Sequence, residues 1–534
     1  MNNLLIAEQF HLLAKMMELH QENVFKIKAI ANAASIIEKL HQDITLQNYH
    51  QLAAIKGIGK NILEKIKEIL SNGKIKELEE YEKITPTSVI EMLNIRGLGP
   101  SKVYRLWKEL NIENIDDLIV ACKEDKLANI KGFGTKTQQN IFENAEFYIQ
   151  NKNKYQLGLA LSIAEQIQDI LQQHHIKAEI TGELRRQCEV VSKLEWITTQ
   201  TINDELQEQI QSLSEIPIII HQVNKERYFY TLFQTTGSEK YLHQIHFHSL
   251  KKKDYTSEDE IFEELNIPPI PAFQRESNEE HYEVEKLLFN NSQLIKFEDI
   301  KGILHCHTNY SDGLNTVSEL ADYVRTQGFE YLAICDHSQS AKYANGLTDE
   351  RLFQQIEEIN HYNEKYTNFR ILKGIESDIL KDGSLDYSPD ILKHLDIVVA
   401  SIHSHFEMSK EEATKRIIKA IENPHTHILG HLTGRLLLIR KGYLIDHKKV
   451  IDACAANNVI IELNANTYRL DIDWRWLQYC LNRGVKIAIN PDAHEKTAIY
   501  DTQYGVMVAQ KAGLTKEMCL NAYDIKSVLN FLKK

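Results

Sequence analysis

The chain has 534 residues, 43% of them hydrophobic and 26% charged, which is typical of globular proteins and long enough for several domains. The formal net charge of −13 excludes a general basic field for nucleic acid, so any DNA contact must come from locally placed donors. No apolar run approaches membrane-spanning length, the N-terminus lacks a signal-peptide pattern, and the seven cysteines show no regular spacing. We therefore expect a cytoplasmic protein with reduced thiols and no membrane contact.

The first 150 residues predict helices, because apolar residues recur at intervals of three and four. Within them the pattern apolar-x-Gly-apolar-Gly occurs three times, each time directly before an amphipathic helix. The three glycine pairs are Gly57 and Gly59, Gly97 and Gly99, and Gly132 and Gly134. We predict two helical DNA-binding domains, over residues 1–80 and 81–150, which together form an all-α N-terminal half.

Glycines at these positions let the backbone turn tightly and leave the first amides of the following helix facing outward, where they form a phosphate site. One copy is equally well explained as a structural turn between two helices. Three copies resemble helix-hairpin-helix units, which grip a DNA backbone without reading its sequence. Lys60 flanks the first turn and adds a candidate phosphate contact.

Residues 151–250 predict a small α+β domain. A helix over 157–173 precedes four strand-like runs, at 178–181, 194–199, 216–221 and 228–233. Residues 251–300 contain a basic run, an acidic cluster and three of the nine prolines, a composition that predicts a linker with little core of its own.

From residue 301 to 534, strands alternate with helices such as 316–325 and 410–421, which predicts parallel βα units closed into a distorted α/β barrel. Six strand ends in succession carry His, Asp or Glu. Because barrel strands deliver their C-terminal residues to one rim, we predict a multinuclear metal site there. Imidazole and carboxylate mixtures suit manganese, zinc or iron. The candidate ligands are His305, His307, Asp312, His337, Glu376, His403, His431, Asp492 and His494.

These motifs resemble, nearly end to end, the bacterial X-family DNA polymerases that carry a C-terminal PHP (polymerase and histidinol phosphatase) domain. The matching segments are His305-x-His307, Asp336-His337, Gly374-Ile-Glu376, Ser401-Ile-His403, Gly430-His431 and Asp492-Ala-His494. The resemblance implies that the nine residues bind up to three divalent ions. Glu376 and Asp492 are the best candidates for bridging two ions, because a carboxylate can offer one oxygen to each.

The same resemblance implies a DNA-repair protein that acts as a manganese-stimulated 3′–5′ exonuclease on gapped, nicked or 3′-ended DNA. His405 lies two residues beyond a predicted ligand and is a candidate substrate contact. Arg435 matches a family arginine and is a candidate phosphate clamp. Lys65 matches the family lysine that removes 5′-deoxyribose phosphate, although a helix-surface lysine beside a phosphate is the plainer interpretation. We expect a monomer.

Residues 151–250 correspond to the family's polymerase palm with a reduced thumb, but the catalytic acids are altered. The segment Gly182-Glu183-Leu-Arg185-Arg186 aligns with Gly-Ser-x-Arg-Arg, so Glu183 replaces the serine that holds nucleotide phosphate. The Asp-x-Asp positions read Lys193 and Glu195, and the third strand has no acid. We therefore expect a degenerate polymerase site without activity.

Two alternatives remain open from the sequence. One is an active gap-filling polymerase whose acids align differently, although residues 178–250 contain no Asp-x-Asp. The other is a small-molecule phosphatase of the histidinol-phosphate kind. The three hairpin motifs disfavour it, because a soluble metabolite gives them no purpose.

Overall fold

The computed structural model describes residues 3–38, 44–55, 57–250, 254–276 and 293–533. The chain divides into two compact units, Met1–Lys152 and Asn153–Lys534. The basic run at 251–253 and residues 277–292 of the expected linker lie outside the described residues. No helix of the described part is both long and apolar enough to cross a bilayer. The finer domain boundaries given above stay predictions.

The regular elements of the N-terminal unit are all helices within its described residues, as its apolar spacing predicts. Its core is formed by residues such as Phe10, Ile66 and Leu106, which are fully buried. The helices are α1 (Asn3–Leu19), α2 (Val24–Glu38), α3 (Lys60–Asn72), α4 (Lys76–Ile84), α5 (Thr87–Met92), α6 (Pro100–Leu110), α7 (Ile115–Lys123) and α8 (Gly134–Asn151).

The glycine pairs stand at the starts of α3, α6 and α8. The first glycine of each pair has positive φ, 104° at Gly57, 80° at Gly97 and 90° at Gly132, a backbone conformation that side chains disfavour. Gly59 and Gly99 are the N-caps of α3 and α6. The predicted turns therefore form, and glycine is required at the first position for a backbone reason.

The first part of the second unit builds a three-stranded sheet in the order β2-β4-β5, with β2 antiparallel and β5 parallel to β4. Strands β1 and β3 form a separate antiparallel pair. The elements are β1 (Tyr155–Gln156), α9 (Leu157–Gln173), β2 (Ala178–Thr181), α10 (Gly182–Arg185), β3 (Val190–Val191), β4 (Leu194–Thr198), α11 (Asp204–Gln211), β5 (Ile218–Gln222), α12 (Tyr228–Thr236), α13 (Glu239–Gln244) and α14 (Glu258–Leu265).

The strand predicted at 228–233 is wrong, because this segment is the helix α12. Its aromatic residues favour strands by propensity, but tertiary packing overrides propensity here. Tyr230 and Phe233 lie three residues apart on one helix face and contact the ring of Phe247 at centroid distances of 5.0 and 5.3 Å. Helix α14 also buries Ile261 and Phe262, so the described part of the expected linker belongs to this core.

The remainder of the unit is the barrel. Its seven parallel strands follow the order β12-β11-β10-β9-β8-β7-β6, and a bridge between Cys306 and Ala493 brings the two edges together, so the barrel is nearly closed. The strands are β6 (Gly302–Cys306), β7 (Tyr331–Ile334), β8 (Arg370–Asp378), β9 (Ile397–Ser401), β10 (Ile428–Leu429), β11 (Ile460–Asn464) and β12 (Ile487–Asn490).

Helices cover the outside of the barrel, which explains why strands such as β6 and β9 are buried along their whole length. The helices are α15 (Val317–Thr326), α16 (Asp349–Lys365), α17 (Pro389–Leu392), α18 (Lys410–Ile421), α19 (His447–Asn457), α20 (Trp474–Asn482), α21 (Thr502–Lys511) and α22 (Ile525–Leu532). The alternation of strands and helices therefore confirms the predicted fold class.

A buried ionic network joins the small α+β part to the barrel. Lys511 at the end of α21 is fully buried, and its Nζ lies 2.8 Å from the Arg186 carbonyl oxygen and 3.2 Å from Glu276 Oε1. Arg186 donates to the same carboxylate from 3.0 Å. A second contact, 2.8 Å long, joins Glu189 to Arg475 on α20.

Replacing Glu276 by Ala is expected to destabilise this unit by about 3–5 kcal/mol, because Lys511 and Arg186 would keep buried charges without their carboxylate. Chemical denaturation followed by circular dichroism measures the change. Glu298→Ala, an exposed acid of the same unit, is the control and should change the free energy of unfolding by less than about 0.5 kcal/mol. Equal stability of the two variants would contradict a structural role for the network.

Candidate metal centre

The predicted ligands meet at the rim where the barrel strands end. His305 lies on β6 and Glu376 on β8, while His403 follows β9, His431 follows β10 and Asp492 follows β12. Parallel strands of a barrel direct their carboxyl ends to the same face. Side chains that are far apart in sequence therefore share one buried cluster.

Three groups of these residues have candidate ligand atoms within 4.8 Å of one another. His431 adjoins the third group, because its Nε2 is 2.9 Å from Glu376 Oε1 and 3.2 Å from His403 Nε2. The structure thus brings all nine predicted residues together. The groups are His307, Asp312, His337 and His494; His305, His307 and Asp492; and His337, Glu376 and His403.

The separations suit side chains that share an ion. Donor atoms bound to one ion at about 2.1 Å stand about 3.0–3.4 Å apart, which is close to the distances around Glu376 Oε1. Five atoms at the rim are buried without a hydrogen bond, namely His305 Nε2, His307 Nδ1, His337 Nδ1, Glu376 Oε2 and His431 Nδ1. Buried polar atoms left in this way are costly, so the donor set fits bound divalent ions.

Electrostatics favour the ligand-competent protonation state at Glu376 and His307, whereas neighbouring carboxylates outweigh burial at His403 and raise its pKa to about 10. Burial opposes the charge of Glu376, yet the imidazoles of His403, His337 and His305 hold the pKa of its carboxyl well below the usual value. Burial, together with the neighbouring His494 and His337, lowers the pKa of His307 to about 3. Glu376 is therefore ionised and His307 neutral near neutral pH, as metal ligation requires.

Glu376 occupies the central position. Its Oε1 lies 3.2 Å from His403 Nε2 and 2.9 Å from His431 Nε2, whereas its Oε2 lies 2.9 Å from His337 Nδ1. The two oxygens therefore face different imidazoles, a geometry suited to bridging. Asp492 takes a similar place beside the other histidines, with Oδ1 2.9 Å from His307 Nε2.

Two supporting carboxylates escaped the sequence interpretation. Glu462 on β11 lies 2.7 Å from His305 Nδ1 and accepts the backbone N–H of His431 at 3.0 Å. Asp378 lies 2.7 Å from His403 Nδ1. A carboxylate on the far nitrogen of an imidazole fixes the ring as a ligand. Asp378 follows Glu376 by two residues on one strand, and this spacing places both side chains on the same face, so the sequence could have identified Asp378. No such spacing identifies Glu462.

His405 and Arg435 differ in their surroundings. His405 is exposed, with positive φ of 57°, in the segment after β9. Arg435 donates to Asp473 Oδ2 at 2.6 Å, to the Arg469 carbonyl oxygen at 2.9 Å and to the Leu470 carbonyl oxygen. These three acceptors engage the guanidinium internally and make Arg435 an anchor of the loop around Arg469, and its role as a phosphate clamp stays a prediction.

The palm residues are engaged with one another. Glu195 is buried, 3.0 Å from Lys193 Nζ and 3.1 Å from His221 Nε2, and a Cβ added at Gly182 would collide with its carboxylate. Glu183 accepts hydrogen bonds from the backbone N–H and hydroxyl of Ser192, at 2.6 and 2.8 Å.

The two palm arginines also have internal partners. Arg185 forms a bidentate pair with Glu258, at 3.0 and 2.9 Å, and Arg186 pairs with Glu276. Within the described ranges, every group of His, Cys, Asp and Glu that could hold an ion lies at the barrel rim.

The first hairpin lines a cavity of about 300 Å³ in the N-terminal unit. Gly57, Gly59, Lys60 and Lys65 contribute to its wall. Lys65 is only 8% exposed and its ammonium pairs with Glu77. Apart from the adjoining residues and the helix's own backbone, no atom of the described residues lies within 4 Å of a Cβ added at Gly59, Gly99 or Gly134, so the approach to these backbones is open.

Family models match three parts of the chain. A helix-hairpin-helix domain covers residues 1–75, a SAM-like helix-hairpin-helix tandem covers residues 89–146, and a PHP domain covers residues 304–466. The hairpin and PHP interpretations from the sequence are thereby confirmed.

Among curated proteins, the chain is 35% identical over 564 residues to the DNA polymerase/3′-5′ exonuclease PolX of Bacillus subtilis (strain 168), with 98% of each chain covered. It is 31% identical over 241 residues to a probable phosphatase of Thermoanaerobacter sp. (strain X514), covering 43% of this chain and 93% of that relative. A probable phosphatase of Clostridium acetobutylicum is 29% identical over 184 residues, covering 33% of this chain and 72% of the relative. The full-length likeness, the hairpins and the rim together show that this enzyme belongs to the bacterial X-family DNA polymerases that carry a C-terminal PHP domain.

Proposed function

We propose that the chain is a DNA-repair enzyme of the bacterial cytoplasm that hydrolyses phosphoester bonds at DNA 3′ ends in the 3′–5′ direction, and that its palm no longer polymerises. The observation that carries the proposal is the contrast between its two acidic sites. The rim gathers nine candidate ligands with unsatisfied buried atoms, whereas the palm acids have direct partners, Lys193 and His221 for Glu195 and Ser192 for Glu183.

The chemistry that divalent ions would supply at the rim is activation of a water molecule and neutralisation of phosphate oxygens. The nine rim residues would hold up to three such ions, of manganese, zinc or iron. Glu376 and Asp492 contribute the ionised, centrally placed carboxylates. Glu462 and Asp378 hold the rings of His305 and His403 in position. Exposed His405, two residues beyond His403 in the chain, is the residue we assign to substrate contact.

Loss of polymerisation follows from the charges of the palm. Two-metal nucleotidyl transfer requires carboxylates on adjacent strands, but Lys193 places an ammonium among them. The carboxylate of Glu195 lies against Gly182, next to Glu183, whose position the family resemblance assigns to the nucleotide-phosphate contact. On the neighbouring strand β5, Ile219 pairs in register with Glu195 and cannot bind an ion.

DNA is the substrate class that the N-terminal unit supports. The open backbones at Gly59, Gly99 and Gly134 fit phosphate contacts at the starts of helices, and Lys60 adds a cation beside the first. Such contacts suit gapped, nicked or 3′-ended DNA of any sequence.

A second activity, hydrolysis of phosphomonoesters at the same rim, is favoured by the likeness of the barrel to the probable phosphatases. Cleavage of a 3′-phosphate from DNA, compared with cleavage of an internal phosphodiester, separates the two activities.

His403→Ala is expected to lower exonuclease activity on 3′-labelled DNA by about 100-fold or more and to reduce bound manganese, because the variant removes one imidazole from the set around Glu376. Metal analysis and gel electrophoresis measure the two effects. His361→Ala is the matched control, since His361 is an exposed histidine of α16. Full activity and metal content in His403→Ala would refute the rim as the catalytic site.

The His403→Ala protein is also expected to leave a one-nucleotide gap unfilled, at the rate of an enzyme-free control, when supplied with nucleotides and manganese. This variant prevents exonuclease from erasing any product. Adding Lys193→Asp and Glu195→Asp should not restore synthesis, because β5 still supplies no acid. Template-dependent extension by the starting variant would show that the palm is active.

Gly59→Leu combined with Gly99→Leu is expected to weaken binding to gapped DNA by about tenfold or more, because a side chain in the open space keeps phosphate from the helix amides. Fluorescence anisotropy at several salt concentrations measures the affinity. Glu113→Leu adds the same side chain just beyond the opposite end of α6 and should not weaken binding. Unchanged affinity in the glycine variant would make the hairpins purely structural turns.

A further inference from the structure

An exposed tyrosine stands directly beside the candidate metal centre. Tyr343 is 70% exposed, yet its ring lies 5.9 Å from the ring of His337 and 6.4 Å from that of His403, measured between centroids. Its neighbours Ala341 and Ala344 are buried and fix the segment that holds it. A large aromatic surface is thus held at the mouth of a polar site, with most of its surface open to solvent.

An arginine lies beside the other side of the cluster. Arg469 Nε is 3.6 Å from Asp492 Oδ2, and the side chain is 21% exposed. Its backbone is held at both ends, because its N–H donates to the Asn466 carbonyl oxygen at 2.8 Å and its carbonyl accepts from Arg435 Nε at 2.9 Å. The partly buried Arg435 therefore positions the loop from which Arg469 reaches the rim.

We propose that Tyr343 and Arg469 form the subsite for the 3′-terminal nucleotide: Tyr343 stacks on the terminal base, and Arg469 binds a non-bridging oxygen of the scissile phosphate. Stacking on an aromatic ring tolerates every base, which suits an enzyme that removes successive nucleotides. A guanidinium provides a planar fork for phosphate, and Arg469 has one face toward solvent, whereas Arg435 is occupied internally. This proposal rests on the proposed exonuclease function.

The stacking half is tested by kinetics on two oligonucleotides that differ only in the last nucleotide, which is either thymidine or an abasic tetrahydrofuran residue. Tyr343→Ala is expected to raise KM on the thymidine end about tenfold with a smaller change in kcat. On the abasic end, wild type and Tyr343→Ala should have the same KM, because no base is present to stack. Tyr343→Phe should match wild type on both ends.

The control is Phe353→Ala, which removes an exposed aromatic from α16 and should behave as wild type. A KM rise in Tyr343→Ala that is equal on both ends, or no rise at all, would overturn stacking. A rise in Tyr343→Phe as large as in Tyr343→Ala would also overturn it, since the hydroxyl would then be responsible.

The phosphate contact of Arg469 is tested with two variants. Arg469→Ala should lower kcat/KM about 100-fold on both the thymidine and the abasic oligonucleotide, and Arg469→Lys should recover only part of that loss. Equal activity of Arg469→Ala and wild type would overturn this role. Hydrolysis of bis(p-nitrophenyl) phosphate by the wild-type protein separates failure of the proposed function from failure of the subsite. If wild type cleaves neither this diester nor DNA, the proposed function has failed. Normal DNA cleavage without these variant effects refutes the subsite alone.

Discussion

The buried negative charge of Glu376 is the constraint on which the arrangement of the rim depends. A carboxylate that is 1% exposed cannot keep its charge without compensation, and here His337, His403 and His431 approach it within 3.2 Å. Imidazoles compensate it only in part, because several of their nitrogens lack hydrogen-bond partners. Divalent ions between these groups would satisfy the carboxylate and the imidazoles together, so the geometry of the cluster fits a metal site.

The acidic side chains of the palm, in contrast, have direct partners within the protein. Glu195 has Lys193 and His221 as direct partners, and Glu183 is held by Ser192. Residues at the positions that the family uses for nucleotide transfer thus pair with neighbouring side chains, while Glu276 joins Arg186 to the barrel residue Lys511. We interpret the palm as a structural support for the barrel, and we assign the proposed phosphoester hydrolysis to the rim.

The sequence was informative where the pattern is local. Strand runs that end in His, Asp or Glu predicted both the barrel and the assembly of nine side chains, since strand direction alone determines where those ends meet. The sequence did not predict contacts between side chains that are far apart along the chain. The bond from Arg435 to Asp473, 38 residues away, has no signal in the sequence, and Glu462 belongs to a strand without any motif. The aromatic run at 228–233 had strand propensity, but packing against Phe247 made it helical.

We propose that divalent metal ions bind at the rim and do not bind at the palm. Anomalous diffraction at the manganese edge, from crystals of the full chain grown with manganese, tests it most directly. The account predicts anomalous peaks among the nine rim residues, next to Glu376 and Asp492, and none beside Glu195. A manganese peak at Glu195 or Glu183, or a rim without any peak, would contradict it.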